Sequence, residues 1–219
     1  MEKLSQQPTL KNIVFCDFDG TITAIETFVG MLKTFAPELC AQIMPQLYER
    51  KLTLREGVRK ILESIPSSVY PDSLTYAQDK PIRAGLPELL DFLDHKKIPF
   101  VVISGGVKGM VETVLERHQL LERVLDIWAV EIDTSQEYFQ IYSPVEGETE
   151  LVAKVDVMAK YSAEKTIAIG DSVTDINMAL KADLVFARDR LIDYMQSENK
   201  PYIPWNDFFD VRDYLMKNL

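Results

Sequence analysis

The stretch Phe15-Cys16-Asp17-Phe18-Asp19-Gly20-Thr21-Ile22-Thr23 decides how the rest of the chain is read. The apolar run Ile13-Val14-Phe15 leads into it and stops at two aspartates, with Gly20 directly behind. A short β-branched and aromatic run ended by glycine reads as a buried strand entering a turn. Residues i and i+2 of a strand share a face, so the spacing predicts two carboxylates side by side at a strand end. Like charges that close repel and raise one pKa unless a cation sits between them. An isolated Asp-x-Asp is more often a solvated acidic turn. The pair gains a chemical meaning only from partners elsewhere in the chain.

Further strand ends supply candidates. Ile98 to Ile103 reads as a second buried strand that stops at Ser104-Gly105-Gly106. A helix follows, with Val107, Met110, Val111, Val114 and Leu115 at helical spacing. Trp128, Val130 and Ile132 alternate, and Tyr138 to Tyr142 follows a polar turn, which predicts a third strand continuing into a hairpin. Leu151 to Tyr161 reads as a helix with Lys154 in its first turn. Thr166 to Ile169 is a fourth strand, ending at Gly170-Asp171-Ser172-Val173-Thr174-Asp175. A short helix over Ile176 to Ala182 and a fifth strand over Leu184 to Ala187 come next. Arg188 to Asn199 is expected to be helical, Pro201 to Trp205 a loop, and Asp207 to Leu219 an amphipathic helix.

Between the first two strands no strand-like alternation is found. Phe28, Met31, Leu32 and Phe35 recur at helical spacing, and Thr53 with Glu56 predicts a capping box opening another helix. The spacing therefore predicts a helical insert over residues 25–80, flanked by core segments 1–24 and 81–219. Helices alternating with fully apolar strands predict an α/β fold with a parallel sheet. In such sheets chemistry gathers at the carboxyl ends of strands near the switch point.

Composition narrows the function. The chain has 219 residues, enough for one large domain or a core with a smaller insert. Its formal net charge of -10 argues against a nucleic-acid surface, which needs Lys/Arg patches. Two cysteines, Cys16 and Cys40, make no disulfide framework and point to a reducing compartment. Met1 to Gln7 holds no signal-peptide apolar core, and no run approaches membrane-spanning length. A cytoplasmic protein acting on neither nucleic acid nor membrane is expected, as a monomer or homodimer.

Asp-x-Asp-Gly-Thr after a first strand, Ser-Gly-Gly after a second, a lysine, then Gly-Asp-Ser-x-x-Asp after a later strand: each element alone is weak. In this order, from Ile13 to Ala187, they resemble the haloacid dehalogenase superfamily of phosphatases. The helical insert resembles the type 1 cap of its phosphoserine-phosphatase-like branch. Leu32 to Pro37, Arg55 to Val58, Ile65 to Ser68, Ile169 to Asp175 and Phe186 to Asp189 resemble the branch's methionine-salvage phosphatases, which act on an enol phosphate. Bacterial members of that group carry a Cys-rich insertion ahead of the motif lysine. Here Ser143 to Glu148 stands in that place without cysteine, a departure that bears on the substrate and leaves the chemistry intact.

The resemblance implies a Rossmannoid core, a helical cap, and roles for named residues. Asp17 is the nucleophile that forms an aspartyl-phosphate. Asp19 protonates the leaving oxygen and later activates water. Ser104, Gly105, Gly106 and Lys154 hold the phosphoryl oxygens. Mg²⁺, which suits all-oxygen ligands, is held by Asp17, the backbone carbonyl of Asp19, and Asp171, with Asp175 behind them. The expected substrate is a small phosphorylated metabolite, most like the enol phosphate of methionine salvage. Phosphoserine or another small sugar or amino-acid phosphate is the alternative, and a non-catalytic phospho-ligand module a further one.

Simpler readings stand beside these. Asp171 and Asp175 also suit a helix N-cap. Lys160 and Lys165 rival Lys154 for the lysine role. Glu26 is as well read as a solvated helix residue as a substrate-facing acid. Arg55 and Arg59 could reach a substrate carboxylate or carbonyl, but ordinary surface roles suit each of them better. His95 and His118 lack metal-ligand company, and the aromatics of Tyr202 to Phe209 read as core.

Overall fold

Ile13, Val14, Phe15 and Cys16 are wholly buried, because the strand they form is covered on both faces. This strand, β1 (Leu10–Cys16), lies in the middle of a seven-stranded sheet in the computed structural model, which describes residues 9–219. The stretch Met1 to Gln7, and with it the start of the expected core segment, lies outside the described residues.

After β1 the chain makes one tight turn and enters four helices: α1 (Phe28–Phe35), α2 (Pro37–Tyr48), α3 (Leu54–Leu62) and α4 (Tyr70–Gln78). The predicted capping box is present: Glu56 N donates to Thr53 Oγ1 at 3.1 Å, and Thr53 N to Glu56 Oε2 at 3.0 Å. A Thr23–Ile82 bridge closes the insert at its base. Then follow α5 (Leu86–Lys96), β2 (Phe100–Val107), α6 (Lys108–Arg117), β3 (Asp126–Asp133) and β4 (Gln140–Tyr142). The remainder is α7 (Lys154–Met158), β5 (Ala163–Gly170), α8 (Ile176–Lys181), β6 (Leu184–Ala187), α9 (Asp189–Ser197), β7 (Ile203–Pro204) and α10 (Phe208–Asn218).

The strand order is β4-β3-β2-β1-β5-β6-β7. Every pairing is parallel except β3 with β4, which is the predicted hairpin. Parallel strands need crossovers that cover both faces, which is why these strands are apolar throughout and not alternating. Each fully buried Ile, Val or Phe in them contributes about 1.5–3 kcal/mol relative to exposure. Because β1 sits between β2 and β5, the carboxyl ends of three adjacent strands converge at one point. Asp17, Ser104 and Asp171 lie at those three ends.

Three local expectations change. Strand β2 does not stop at Ser104 but runs through both glycines to Val107. Its register against β3 shifts between Ile103 and Val107, so the glycines form an irregular strand end and not a separate loop. Helix α7 is five residues long and opens at Lys154, while Leu151 to Ala153 stay outside it. Ile203–Pro204, expected as loop, pairs with β6 as an edge strand, where proline's missing donor does no harm.

The insert is tied to the hairpin and to the loop ahead of Lys154. Ser67 N donates to Glu137 O at 2.9 Å, Phe139 N to Ile65 O at 3.0 Å, and Arg55 N to Thr149 O at 2.8 Å. No helix among the described residues is long and apolar enough to cross a membrane. Both cysteines are free and buried.

Candidate active site

Asp17 directly follows β1 in extended conformation, and its carboxylate meets Lys154. Lys154 Nζ donates to Asp17 Oδ1 and, at 2.6 Å, to Asp175 Oδ1. All three side chains are almost completely buried. Of the three candidate lysines, Lys154 is the one buried here, whereas Lys160 is exposed and Lys165 only half-buried. Burial opposes the Lys154 ammonium, but the Asp17 and Asp175 carboxylates outweigh it and raise its pKa.

Asp175 is fully committed. Its second oxygen, Oδ2, accepts from Asp171 N and Ser172 N at 3.0 Å each. It thereby folds the turn after β5 back on itself and fixes Asp171. Asp175 is therefore the third-residue partner of a capping box with Ser172 at the N-cap, not an N-cap through its own side chain, and the same carboxylate also holds Lys154. Thr21 Oγ1 donates to Asp171 Oδ1 at 2.8 Å, which joins the turn after β1 to the turn after β5.

Gly20 makes that junction possible. Its φ is +79°, and a Cβ there would lie 2.5 Å from Asp171 Oδ2. Both the left-handed backbone and the close approach require glycine. Arg83 secures the same turn from outside, its Nε donating to Thr21 O at 3.0 Å.

Carboxylate oxygens of Asp17, Asp171 and Asp175 lie within 4.8 Å of one another. Three buried carboxylates around one ammonium leave negative charge uncompensated. Burial, followed by the charge of Asp175, pushes Asp171 up to about 7 despite the Thr21 hydrogen bond. Burial and Asp175 also hold Asp17 well above the ordinary carboxylate range, against the pull of Lys154. The ammonium remains charged, and the raised carboxyls express the missing positive charge. An all-oxygen donor set with surplus negative charge fits a hard divalent cation.

Asp19 is placed differently from the expectation of two facing carboxylates. The strand ends before Asp17, so the period-two argument does not reach Asp19, which lies in the turn. Its Oδ1 accepts from Thr27 N at 2.7 Å and Phe28 N at 3.0 Å, satisfying amides at the start of α1. A Cβ on Gly106 would lie 3.3 Å from Asp19 Oδ2, so this oxygen faces the glycine turn of β2. Burial raises the Asp19 pKa to about 6, against the lowering effect of the Thr27 and Phe28 amides. The charge of Glu26 adds to the rise.

A cavity of about 240 Å³ opens over this cluster, with Asp17, Asp19, Ser104, Gly105, Gly106 and Lys154 among its lining residues. Ser104 Oγ accepts from Gly106 N at 3.0 Å, which shapes the turn. Glu26 lines the cavity, and burial raises its pKa against the opposing charge of Arg190. Arg55 does not line it. Its Nε donates to Glu146, and Arg59 Nη2 donates to the same Glu146 Oε1 at 2.8 Å. The surface reading of Arg55 therefore replaces the substrate reading: both arginines latch α3 onto the loop ahead of Lys154. Glu146 stands in the very segment that departs from the cysteine-bearing pattern.

Sequence reasoning missed Arg190 and Glu150, both of which line the cavity. Arg190 was legible only as part of a helix following β6. Glu150 belonged to a polar loop with four other candidate positions, and nothing in its spacing singled it out.

A parallel sheet switching direction at a buried Asp–Lys–Asp cluster under a helical insert defines a class of hydrolase. The sequence profile of the haloacid dehalogenase-like hydrolases matches residues 14–180, and the chain belongs to that family. Among curated proteins, it is 65% identical over 207 residues to the 2-hydroxy-3-keto-5-methylthiopentenyl-1-phosphate phosphatase of Microcystis aeruginosa, covering 94% of this chain and 99% of that one. It is 31% identical to the enzyme of the same name from Bacillus cytotoxicus, covering 92% and 94%. Its fold matches a phosphoserine phosphatase solved as a phospho-aspartyl intermediate analogue, with a TM-score of 0.69, 22% identity and 94% and 99% coverage.

Proposed function

We propose that this chain is a Mg²⁺-dependent phosphomonoesterase that works through an aspartyl-phosphate. Its substrate is 2-hydroxy-3-keto-5-methylthiopentenyl-1-phosphate, after the names of the relatives it matches over nearly full length. The observation that carries the chemistry is the buried bridge from Asp17 through Lys154 to Asp175, with Asp171 beside it, under a cavity able to admit a small molecule.

Asp17 and Asp171 would hold the cation, together with the Asp19 carbonyl, and the cation supplies positive charge against the meeting of two anions. Asp175 stays behind them, since both its oxygens are engaged. Lys154 neutralises Asp17 and keeps one of its oxygens oriented. The Asp17 carboxylate attacks phosphorus, the new O–P bond forms, and the ester O–P bond breaks. Asp19 gives its proton to the leaving oxygen. It then takes a proton from the water that attacks phosphorus and frees Asp17. Ser104 and the amides of Gly105 and Gly106 cradle the phosphoryl oxygens as their charge develops.

Residues 25–80 act as the cap over a core made of 1–24 and 81–219. All of the groups named come from one chain, so a monomer or a homodimer serves equally. Two free, buried cysteines suit the cytoplasm. The test is phosphate release from a panel of phosphorylated metabolites with Mg²⁺, including phosphoserine and p-nitrophenyl phosphate. Asp17→Asn should abolish release while the far-ultraviolet spectrum is unchanged. Absence of release from every ester would sink the enzymatic reading, and substantial activity in Asp17→Asn would remove Asp17 as nucleophile.

A further inference from the structure

The cavity over Asp17 has two unlike halves. Its floor is the polar cluster described above. Its upper wall is built by three helices of the insert, each offering one apolar stripe. Phe28 and Leu32 come from α1, Met44 and Leu47 from α2, and Leu54 and Val58 from α3. The spacings within each pair are three or four residues, so each pair lies on one helix face. Leu54 remains 39% exposed, an apolar side chain left partly open to solvent.

Charge in the upper half is sparse and of the wrong sign for an acidic substrate. Between residues 25 and 80 the one charged side chain lining the cavity is Glu26. Arg55 and Arg59, which adjoin Leu54 and Val58 in sequence, are held by Glu146 and Glu63. Arg190, on the core side, lines the cavity and its charge pulls on Glu26. A substrate carrying its own carboxylate would meet Glu26 and Glu150, and the wall built by the insert offers it no ammonium or guanidinium. Burying that carboxylate unpaired is costly.

From this we infer that Phe28, Leu32, Met44, Leu47, Leu54 and Val58 form an apolar tail subsite that sets specificity. The substrate class is a phosphate monoester of an uncharged alcohol ending in an alkyl or thioether chain, and phosphoserine is rejected. The inference rests on the phosphatase reading and adds the selecting residues to it. Apart from the exposed Tyr48 at the end of α2, these helices present no polar side chain to the cavity, so the wall reads apolarity and shape and not sulfur itself. An all-carbon tail of equal length is therefore accepted as well as a thioether.

The wall's width depends on Gly57. A Cβ there would lie 2.5 Å from Leu47 Cδ2 and 3.0 Å from Ile43 Cγ2, so glycine lets α3 approach α2 and leaves Leu47 its place in the wall. Alanine is the better helix former at such a site, so Gly57→Ala keeps the helix while displacing the Leu47 tip.

The test compares kcat/KM for methyl phosphate, pentyl phosphate, methylthiopropyl phosphate and phosphoserine. Simple alkyl leaving groups differ little in intrinsic reactivity, so a gain with length reports tail binding carried into the transition state. Pentyl and methylthiopropyl esters should be equivalent, and both should exceed methyl phosphate and phosphoserine by about tenfold or more. Leu47→Gln with Leu54→Gln should remove that gain and leave methyl phosphate turnover unchanged, and Gly57→Ala should reduce it. A flat response from methyl to pentyl, or a preference for phosphoserine, overturns the subsite. If no ester is hydrolysed, p-nitrophenyl phosphate included, the phosphatase reading fails on its own. Calorimetric binding of pentylphosphonate against methylphosphonate then decides the subsite: tighter pentyl binding supports it, and equal affinities overturn it.

Discussion

Asp171 provides a quantitative test of the metal site. In the protein without a cation its carboxyl is pushed up to about 7 from an ordinary 3.8, first by burial and then by Asp175. A cation that requires the ionised carboxylate must displace this proton. Below about pH 7 each unit of pH should therefore weaken apparent Mg²⁺ affinity about tenfold, or ~1.4 kcal/mol. Calorimetric titration in buffers of different ionisation enthalpy counts the protons. One or more should be released per cation at about pH 6, and far fewer at about pH 8. Stability follows with a definite sign. The folded pKa is raised above the unfolded one, so the contribution of Asp171 is fully present below the unfolded value. It is lost as pH rises from 3.8 to about 7. The loss is on the order of 4 kcal/mol in the cation-free protein, and saturating Mg²⁺ should restore it. Thr21→Val removes a hydrogen bond that lowers the Asp171 pKa, so the affinity curve should move to higher pH. Mg²⁺ affinity independent of pH, with no proton released, would refute Asp171 as a ligand.

Three further outcomes are expected. Asp19, at about 6, must carry its proton in the first step, so kcat/KM should fall about tenfold per pH unit above about 6. Asp19→Asn should be slow at every pH and lack that limb; a retained limb assigns it to another group. Ser104→Ala removes one hydroxyl from the phosphate cradle and should cost on the order of 3 kcal/mol, read as a hundredfold or greater fall in kcat. Gly20→Ala forces a left-handed φ of 79° on alanine, worth ~1–2 kcal/mol, and drives a Cβ into Asp171. Both Tm and Mg²⁺ affinity should fall, and no change in either would show that the turn tolerates a side chain.

The polar floor of the cavity was readable because strand ends are readable. Apolar runs that stop at Asp17, Ser104 and Asp171 announce their ends by chemistry, and a parallel sheet brings such ends together. Lys154 needed the order of the motifs as well as its own position, since Lys160 and Lys165 stand close by in sequence. The local pairing of Asp17 with Asp19 was misread because β1 stops one residue early. Asp19 serves the start of α1 with one oxygen, and its pKa is raised chiefly by burial. Arg55 stayed a substrate candidate beside its surface reading because a helical residue of the insert has no sequence signature for the direction it faces. Its carboxylate partner, Glu146, is ninety-one residues away along the chain.

By itself the sequence determined the α/β class, the helical run between the first two strands, and the acidic and glycine-rich strand ends. These follow from local periodicity and from where apolar runs break, which a single chain displays directly. Only the tertiary structure decided that Asp175 is consumed by Lys154 and two amides, that Asp171 carries the surplus charge, and that the insert turns apolar stripes toward Asp17. Those features depend on contacts between residues far apart in the chain. Spacing determines which face of its own helix a residue occupies, but packing determines what that face meets.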